Sequence, residues 1–158
     1  MPNSLNSLLD LLRERKQTVG FAESCTGGKL SALFTEQPGV SEVFLGAVVS
    51  YSNQVKEDLL GVKTDTLANF GAVSEETARE MARGARQRLK TDWAVAITGI
   101  AGPGGGSEKK PVGTVCFAVT GPEGVEDSET RVFSGERTSI QHQAAGAAMD
   151  WLSSFLKK

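Results

Sequence analysis

Ala22-Glu23-Ser24-Cys25-Thr26-Gly27-Gly28 sets a hydroxyl and a thiol side by side at the point where an apolar, β-prone run from Thr18 gives way to helical spacing over Lys29 to Phe34. That change of period predicts a strand, a tight turn and a helix. N–H groups in the first turn of a helix have no intrahelical partners, and the helix dipole adds partial positive charge there. Ser24, with Thr26 and Gly27 beside it, therefore sits where an oxyanion or a phosphate would be welcome. Cys25 is a rival nucleophile, because thiolates are strong nucleophiles and a helix N-terminus lowers a thiol pKa, although small buried cysteines are the commoner kind. A purely structural account also fits: Ser24 or Thr26 caps the helix and the two glycines allow close packing.

Tyr51 and Lys56 supply the second candidate group, a phenol at a strand end and an ammonium about one helical turn later. A lysine whose pKa is lowered by burial can act as general base for a serine, and a tyrosine can relay or donate the proton. The spacing alone carries little information. It does not match a dehydrogenase pair, and no glycine fingerprint follows the first strand. Gly99-Ile100-Ala101-Gly102-Pro103-Gly104-Gly105-Gly106-Ser107 can cradle a phosphate with its backbone N–H groups or serve as a flexible connector, and it lacks the ending of a nucleotide P-loop. Thr98 either points into a site or merely ends its strand. Arg137 is the guanidinium best placed for a phosphate or carboxylate, against the common case of a solvated arginine. His142 is the only histidine and lies among alanines, where packing or surface exposure is the expected role; no GxSxG elbow supports a Ser-His-Asp hydrolase.

The elements that must position these groups follow from periodicity. Leu5, Leu8, Leu9, Leu11 and Leu12 predict an amphipathic first helix from near Ser4 or Asn6 to near Lys16. Strands are expected over Thr18 to Glu23, Val43 to Tyr51 and Trp93 to Thr98, the second reading as buried on both faces. Helices are expected from about Thr26 to Thr35, after the Ser52-Asn53 cap, over Thr64 to Phe70, from Ser74 to about Lys90, and from Glu136 to Leu156. Val112 to Thr120 and Val125 to Phe133 predict a hairpin. The sum is an α/β domain with helices on both faces of a mixed sheet. If the first three strands are parallel, the ends after Glu23, Tyr51 and Thr98 share one edge, where open α/β sheets bind ligands. The hairpin returns to that edge and delivers Arg137 with another helix N-terminus.

At 158 residues the chain is expected to be a single domain, large enough to bury a core without disulfides or metals. A net charge of -2 disfavours nucleic acid binding. No N-terminal apolar run is long enough for a signal peptide or a membrane span, so no membrane association and a cytoplasmic location are the defaults. Two cysteines without CxxC spacing and one histidine support no metal site. A homo-oligomer is compatible with the sequence and not specified by it.

Together, AESCTGG, Ser50-Tyr51-Ser52-Asn53 with Lys56, Gly71-Ala72-Val73-Ser74, ITGIAGPGGGSEKKPVGTV and FSGER resemble the CinA C-terminal domain family over nearly the whole chain, in the stand-alone form without the pyrophosphatase-like domain of full-length CinA. The resemblance implies a three-layer α/β/α sandwich with a mostly parallel mixed sheet. It also implies a cofactor-free amidohydrolase that converts nicotinamide mononucleotide, its small-molecule substrate, to nicotinate mononucleotide and ammonia in pyridine nucleotide salvage. The family's catalytic group falls on Ser24, Tyr51 and Lys56, and its glycine loop on Gly99 to Gly106. Cys25, Thr26, Gly27, Thr98, Gly99, Gly102, Gly104, Gly105 and Arg137 are the expected substrate-binding residues. Residue chemistry favours Ser24 over Cys25, since a hydroxyl needs its proton removed during attack and a lysine base supplies that. The alternative is a non-catalytic nucleotide-binding module that regulates a partner, as the competence/damage-inducible label of some members suggests.

Overall fold

The computed structural model describes residues 2–158, with side chains from residue 5 onward. In chain order the elements are α1 (Pro2–Arg15), β1 (Val19–Glu23), α2 (Lys29–Thr35), β2 (Phe44–Val49), α3 (Asn53–Leu60), α4 (Thr64–Phe70), α5 (Glu75–Leu89), β3 (Trp93–Gly99), β4 (Thr114–Thr120), β5 (Glu126–Val132) and α6 (Arg137–Leu156). The sheet order is β2-β1-β3-β4-β5. β1 pairs in parallel with both β2 and β3, and β4 runs antiparallel to β3 and β5, so β4 alone opposes the common direction.

Alternation along the strands builds two unlike faces, because successive strand residues point to opposite sides. Phe21, Trp93, Val95, Ile97, Val115, Phe117 and Val119 face α1, α2 and α6, where Leu8, Leu12, Leu30, Phe34 and Ile140 meet them. Ala22, Ala94, Ala96, Cys116 and Ala118 face the other way, toward Ala78, Met81, Ala82 and Ala85 of α5. Small residues on that side let α5 lie close to the sheet. α3 comes equally close to α5, since a β-carbon on Gly84 would overlap the Leu60 carbonyl. The result is the expected three-layer sandwich.

Helix ends follow local chemistry. Ser52 Oγ accepts the Val55 N–H at 3.1 Å to cap α3, and Gly61 closes that helix at φ 69. Ser74 Oγ likewise accepts the Thr77 N–H at 3.1 Å, with Glu75 and Glu76 in the first turn of α5. Two expectations need correction. α2 begins at Lys29 rather than Thr26, because Gly27 and Gly28 take φ of 59 and 106, outside the right-handed helical region. β2 is not buried on both faces. It is an edge strand, with Leu45 51% and Val49 47% exposed, and its register with β1 skips at Leu45. A continuous apolar run does not by itself separate a central strand from an edge one.

Candidate active site

β1 ends in Glu23, whose side chain is fully buried. One carboxylate oxygen accepts the Leu30 N–H at 2.9 Å and the Thr26 hydroxyl at 2.7 Å, and the other accepts the Ser31 N–H at 2.9 Å and the Ser31 hydroxyl. The first turn of α2 is thus occupied from within. This corrects the expectation that it stands open to an oxyanion or phosphate, and it gives the Thr26 hydroxyl a structural partner. The turn itself, residues 24–28, keeps free donors: neither the Cys25 nor the Thr26 N–H donates to another of the described residues. Buried N–H groups without an acceptor are rare in folded chains, and both residues are buried.

Lys56 reaches this turn from α3. It and Leu60, one helical turn apart, are the buried residues of that helix, so the amphipathic period aims the lysine inward. Its Nζ lies 2.9 Å from Ser24 Oγ, 2.8 Å from the Ser50 carbonyl and 3.2 Å from the Tyr51 carbonyl. None of these partners carries charge, and no carboxylate pairs with Lys56 among the described residues. Burial therefore dominates and lowers the Lys56 pKa to about 8, opposed weakly by the neighbouring Cys25. A neutral amine has two N–H donors and one lone pair. With the donors on the two carbonyls, the lone pair is left for the Ser24 hydroxyl proton.

The same burial acts oppositely on sulfur. The Cys25 thiol is pushed up to about 12, chiefly because its surroundings exclude water, with its own backbone N–H and Lys56 pulling the other way. This corrects the expectation that the turn would ease thiol ionisation; at neutral pH Cys25 holds its proton.

Tyr51 is 60% exposed, and its phenol goes elsewhere than expected. Its oxygen accepts from Arg137 Nη2 at 2.8 Å and makes no hydrogen bond to Lys56 or Ser24, so only its backbone carbonyl touches the lysine. Arg137, the first residue of α6, also donates from Nη1 to the Gly102 carbonyl at 2.7 Å, which ties the glycine loop to the tyrosine. These residues enclose a cavity of about 260 Å³ lined by Ser24, Cys25, Tyr51, Lys56, Thr98, Gly99, Gly102, Gly104, Gly105 and Arg137, all singled out in the sequence. Thr26 and Gly27 are not in the lining. The Thr98 hydroxyl, although in the wall, donates to the Ala72 carbonyl at 2.8 Å. Asn53, Ala72, Val73, Ile100 and Ala101 complete the wall; they lie in stretches the sequence singles out but are not themselves among the expected site residues. Glu23 carries a signal of its own: an acid ending an apolar strand seven residues before a helical N–H that it can reach.

A larger cleft of about 550 Å³, bordered by Phe70, Glu75, Lys109, Lys110 and Cys116, meets the first only at Val73. Size would favour it as a binding site. It does set a hydroxyl beside a carboxylate, Thr130 donating to Glu75 at 2.8 Å, but Thr130 is exposed and no buried amine among the described residues meets it, and burial raises the pKa of the neighbouring Cys116 thiol. Chemistry therefore belongs to the smaller cavity.

An α/β/α sandwich with a buried serine–lysine contact at the C-terminal edge of its parallel strands defines the class. The chain belongs to the CinA C-terminal domain family, whose model matches residues 3–156. It is 52% identical over 143 residues to a CinA-like protein of Fervidobacterium nodosum, covering 90% of this chain and 35% of that one. A CinA-like protein of a Cyanothece species is 53% identical over 153 residues, covering 95% and 36%. The chain thus spans about a third of the length of these relatives. The crystal structure of the competence/damage-inducible protein CihA from Agrobacterium tumefaciens superposes with a TM-score of 0.94 at 40% identity, covering 99% of this chain and 94% of that one. A CinA superfamily protein from Klebsiella pneumoniae gives 0.94 at 34% identity, covering 98% and 96%. No helix among the described residues is long and apolar enough to cross a membrane.

Proposed function

We propose that residues 1–158 act as one nicotinamide-nucleotide amidohydrolase domain, which converts nicotinamide mononucleotide to nicotinate mononucleotide and ammonia through a covalent serine intermediate. The observation that carries this reading is the 2.9 Å contact between Lys56 Nζ and Ser24 Oγ beside the Cys25 N–H, which donates to no other of the described residues. Ser24 Oγ attacks the carboxamide carbon as its proton passes to the neutral Lys56 amine, and the oxygen that becomes anionic is held at the turn by the N–H of Cys25, which lines the cavity. The C–N bond then breaks, Lys56 returns the proton to the departing nitrogen, and ammonia leaves. Water attacks the acyl ester while Lys56 takes its proton and passes it to Ser24 Oγ as the ester C–O bond breaks, and nicotinate mononucleotide and free Ser24 result.

Tyr51 joins this scheme as a wall rather than a relay, since its phenol faces Arg137. A cavity of about 260 Å³ lies below the ~300–1,000 Å³ usual for ligand pockets, so it suits the carboxamide end of a nucleotide. The phosphate then lies outward, near Arg137, the Gly102 to Gly105 loop and the start of α6, where unpaired N–H groups and the dipole favour anions. The substrate is a small molecule, no cofactor enters any step, and the cytoplasm, where pyridine nucleotides circulate, is the matching compartment. The test is ammonia release by purified protein, without added metal, from nicotinamide mononucleotide and from nicotinamide riboside. Hydrolysis of the mononucleotide with strong preference over the riboside is expected. No ammonia from either would instead favour a non-catalytic nucleotide-binding module.

A further inference from the structure

Gln141 lies on α6 one turn beyond Arg137, buried to 8% exposure, and its amide faces the nucleophile's turn rather than the cavity. Its Nε2 donates to the Cys25 carbonyl at 2.9 Å, and its Oε1 accepts from the Lys29 ammonium at the start of α2. The two partners fix which way the amide points. An ammonium can only donate and a carbonyl can only accept, so a flipped glutamine would lose both bonds.

The Cys25–Thr26 peptide is a planar unit in which C=O and N–H point in opposite directions. Drawing the Cys25 carbonyl toward α6 therefore turns the Thr26 N–H away from α6. That N–H is buried and donates to no other described residue. Glu23 holds the Thr26 side chain at the same time, so the peptide is gripped on both sides. Without the Gln141 bond this peptide is free to rotate, and the turn that sets Ser24 and the Cys25 N–H at the cavity wall loses its brace. We propose that Gln141, held by Lys29, is a positioning residue that keeps the turn carrying Ser24 and the Cys25 N–H, both at the cavity wall, in the geometry that meets the oxyanion. This inference rests on the amidohydrolase reading of the site.

The test compares wild type with Gln141→Met, which keeps the length of the side chain and removes both polar ends, and with Lys29→Met, which frees the glutamine without removing it. Steady-state kinetics would be measured with nicotinamide mononucleotide and with its thioamide analogue. Sulfur is a poor hydrogen-bond acceptor, so an intact oxyanion site favours the oxygen substrate and a disordered one loses that preference. Gln141→Met should lower kcat about 10- to 100-fold with KM within about threefold, and should shrink the oxygen-to-sulfur rate ratio. Lys29→Met should do the same to a smaller extent. Thermal unfolding confirms that each variant is folded; should Gln141→Met fail to fold, Gln141→Glu, which pairs with Lys29 but cannot donate to the Cys25 carbonyl, replaces it with the same expectation. An unchanged kcat, a loss carried by KM, or a fall in kcat with an unchanged oxygen-to-sulfur ratio would overturn the proposal. If wild type does not hydrolyse nicotinamide mononucleotide, the substrate reading fails separately. The positioning role is then read from the rate of Ser24 acylation by p-nitrophenyl acetate above the Ser24→Ala background: a tenfold slower rate in Gln141→Met upholds it and an equal rate rejects it.

Discussion

Glu23 and Lys56 are both buried, with 0% and 1% of their surfaces exposed, and both stand at the C-terminal edge of β1, yet the fold treats them in opposite ways. Glu23 receives two backbone N–H groups and two hydroxyls at the start of α2. Its charge is met by donors and a helix dipole, so it anchors structure. Lys56 receives only neutral oxygens, and burial lowers its affinity for a proton to a pKa of about 8. A buried charge with a full set of partners is inert; one left without a counter-charge becomes a reagent near neutral pH. Ser24 is adjacent in sequence to the first and in contact with the second.

That contrast is broken most directly by substitution. Ser24→Ala and Lys56→Ala should each lower kcat by about 10³-fold or more while leaving a folded protein, and the double variant should be scarcely worse than either, because groups acting as a unit are not additive. Glu23→Ala should act on stability. It strands two helix N–H groups and two hydroxyls, so unfolding stability should fall by about 2–5 kcal/mol, as urea denaturation would record. A Glu23→Ala protein of unchanged stability would show that the carboxylate is not an anchor.

The contrast is sharpened by pH. Lys56 must be neutral to accept the Ser24 proton, so kcat/KM should rise about tenfold per pH unit up to about pH 8 and level off above it. Stability should carry the same signature. A lysine whose folded pKa lies below its unfolded value of 10.5 penalises the folded state while both states are protonated, and the penalty fades as pH rises from about 8 to 10.5. Over that window wild type should therefore gain on the order of 3 kcal/mol relative to Lys56→Met, a difference free of the other lysines. A flat difference would place a hidden counter-charge near Lys56. The smallest effect belongs to Cys25→Ser, expected to keep kcat within about tenfold, since a thiol with a pKa of about 12 is not the nucleophile at pH 7.5.

The sequence made the strand, turn and helix around Ser24 legible because hydrophobic period and turn residues are local signals, and the parallel edge then placed Tyr51, Lys56, the glycine loop and Arg137 near it. The partners within that edge were not legible. Tyr51 meets Arg137 across 86 residues and Gln141 meets Cys25 across 116, and no local pattern encodes such pairs. Glu23 was hidden for a different reason. It reads as the polar end of a strand, and only the position of α2, delayed to Lys29 by two left-handed glycines, puts helix N–H groups within its reach. The edge position of β2 is not legible because Leu45 and Val49, apolar and about half exposed at a sheet edge, leave the same pattern as buried residues.

The central claim is that Ser24, activated by an uncharged Lys56, forms the covalent bond. Quenching the enzyme with acid during turnover of nicotinamide mononucleotide, then mapping the adduct by peptide mass spectrometry, tests it most directly. A nicotinoyl-bearing ester on Ser24, absent from Lys56→Ala, is the predicted result. The same group found on Cys25, or on Ser24 in equal yield without Lys56, would contradict it.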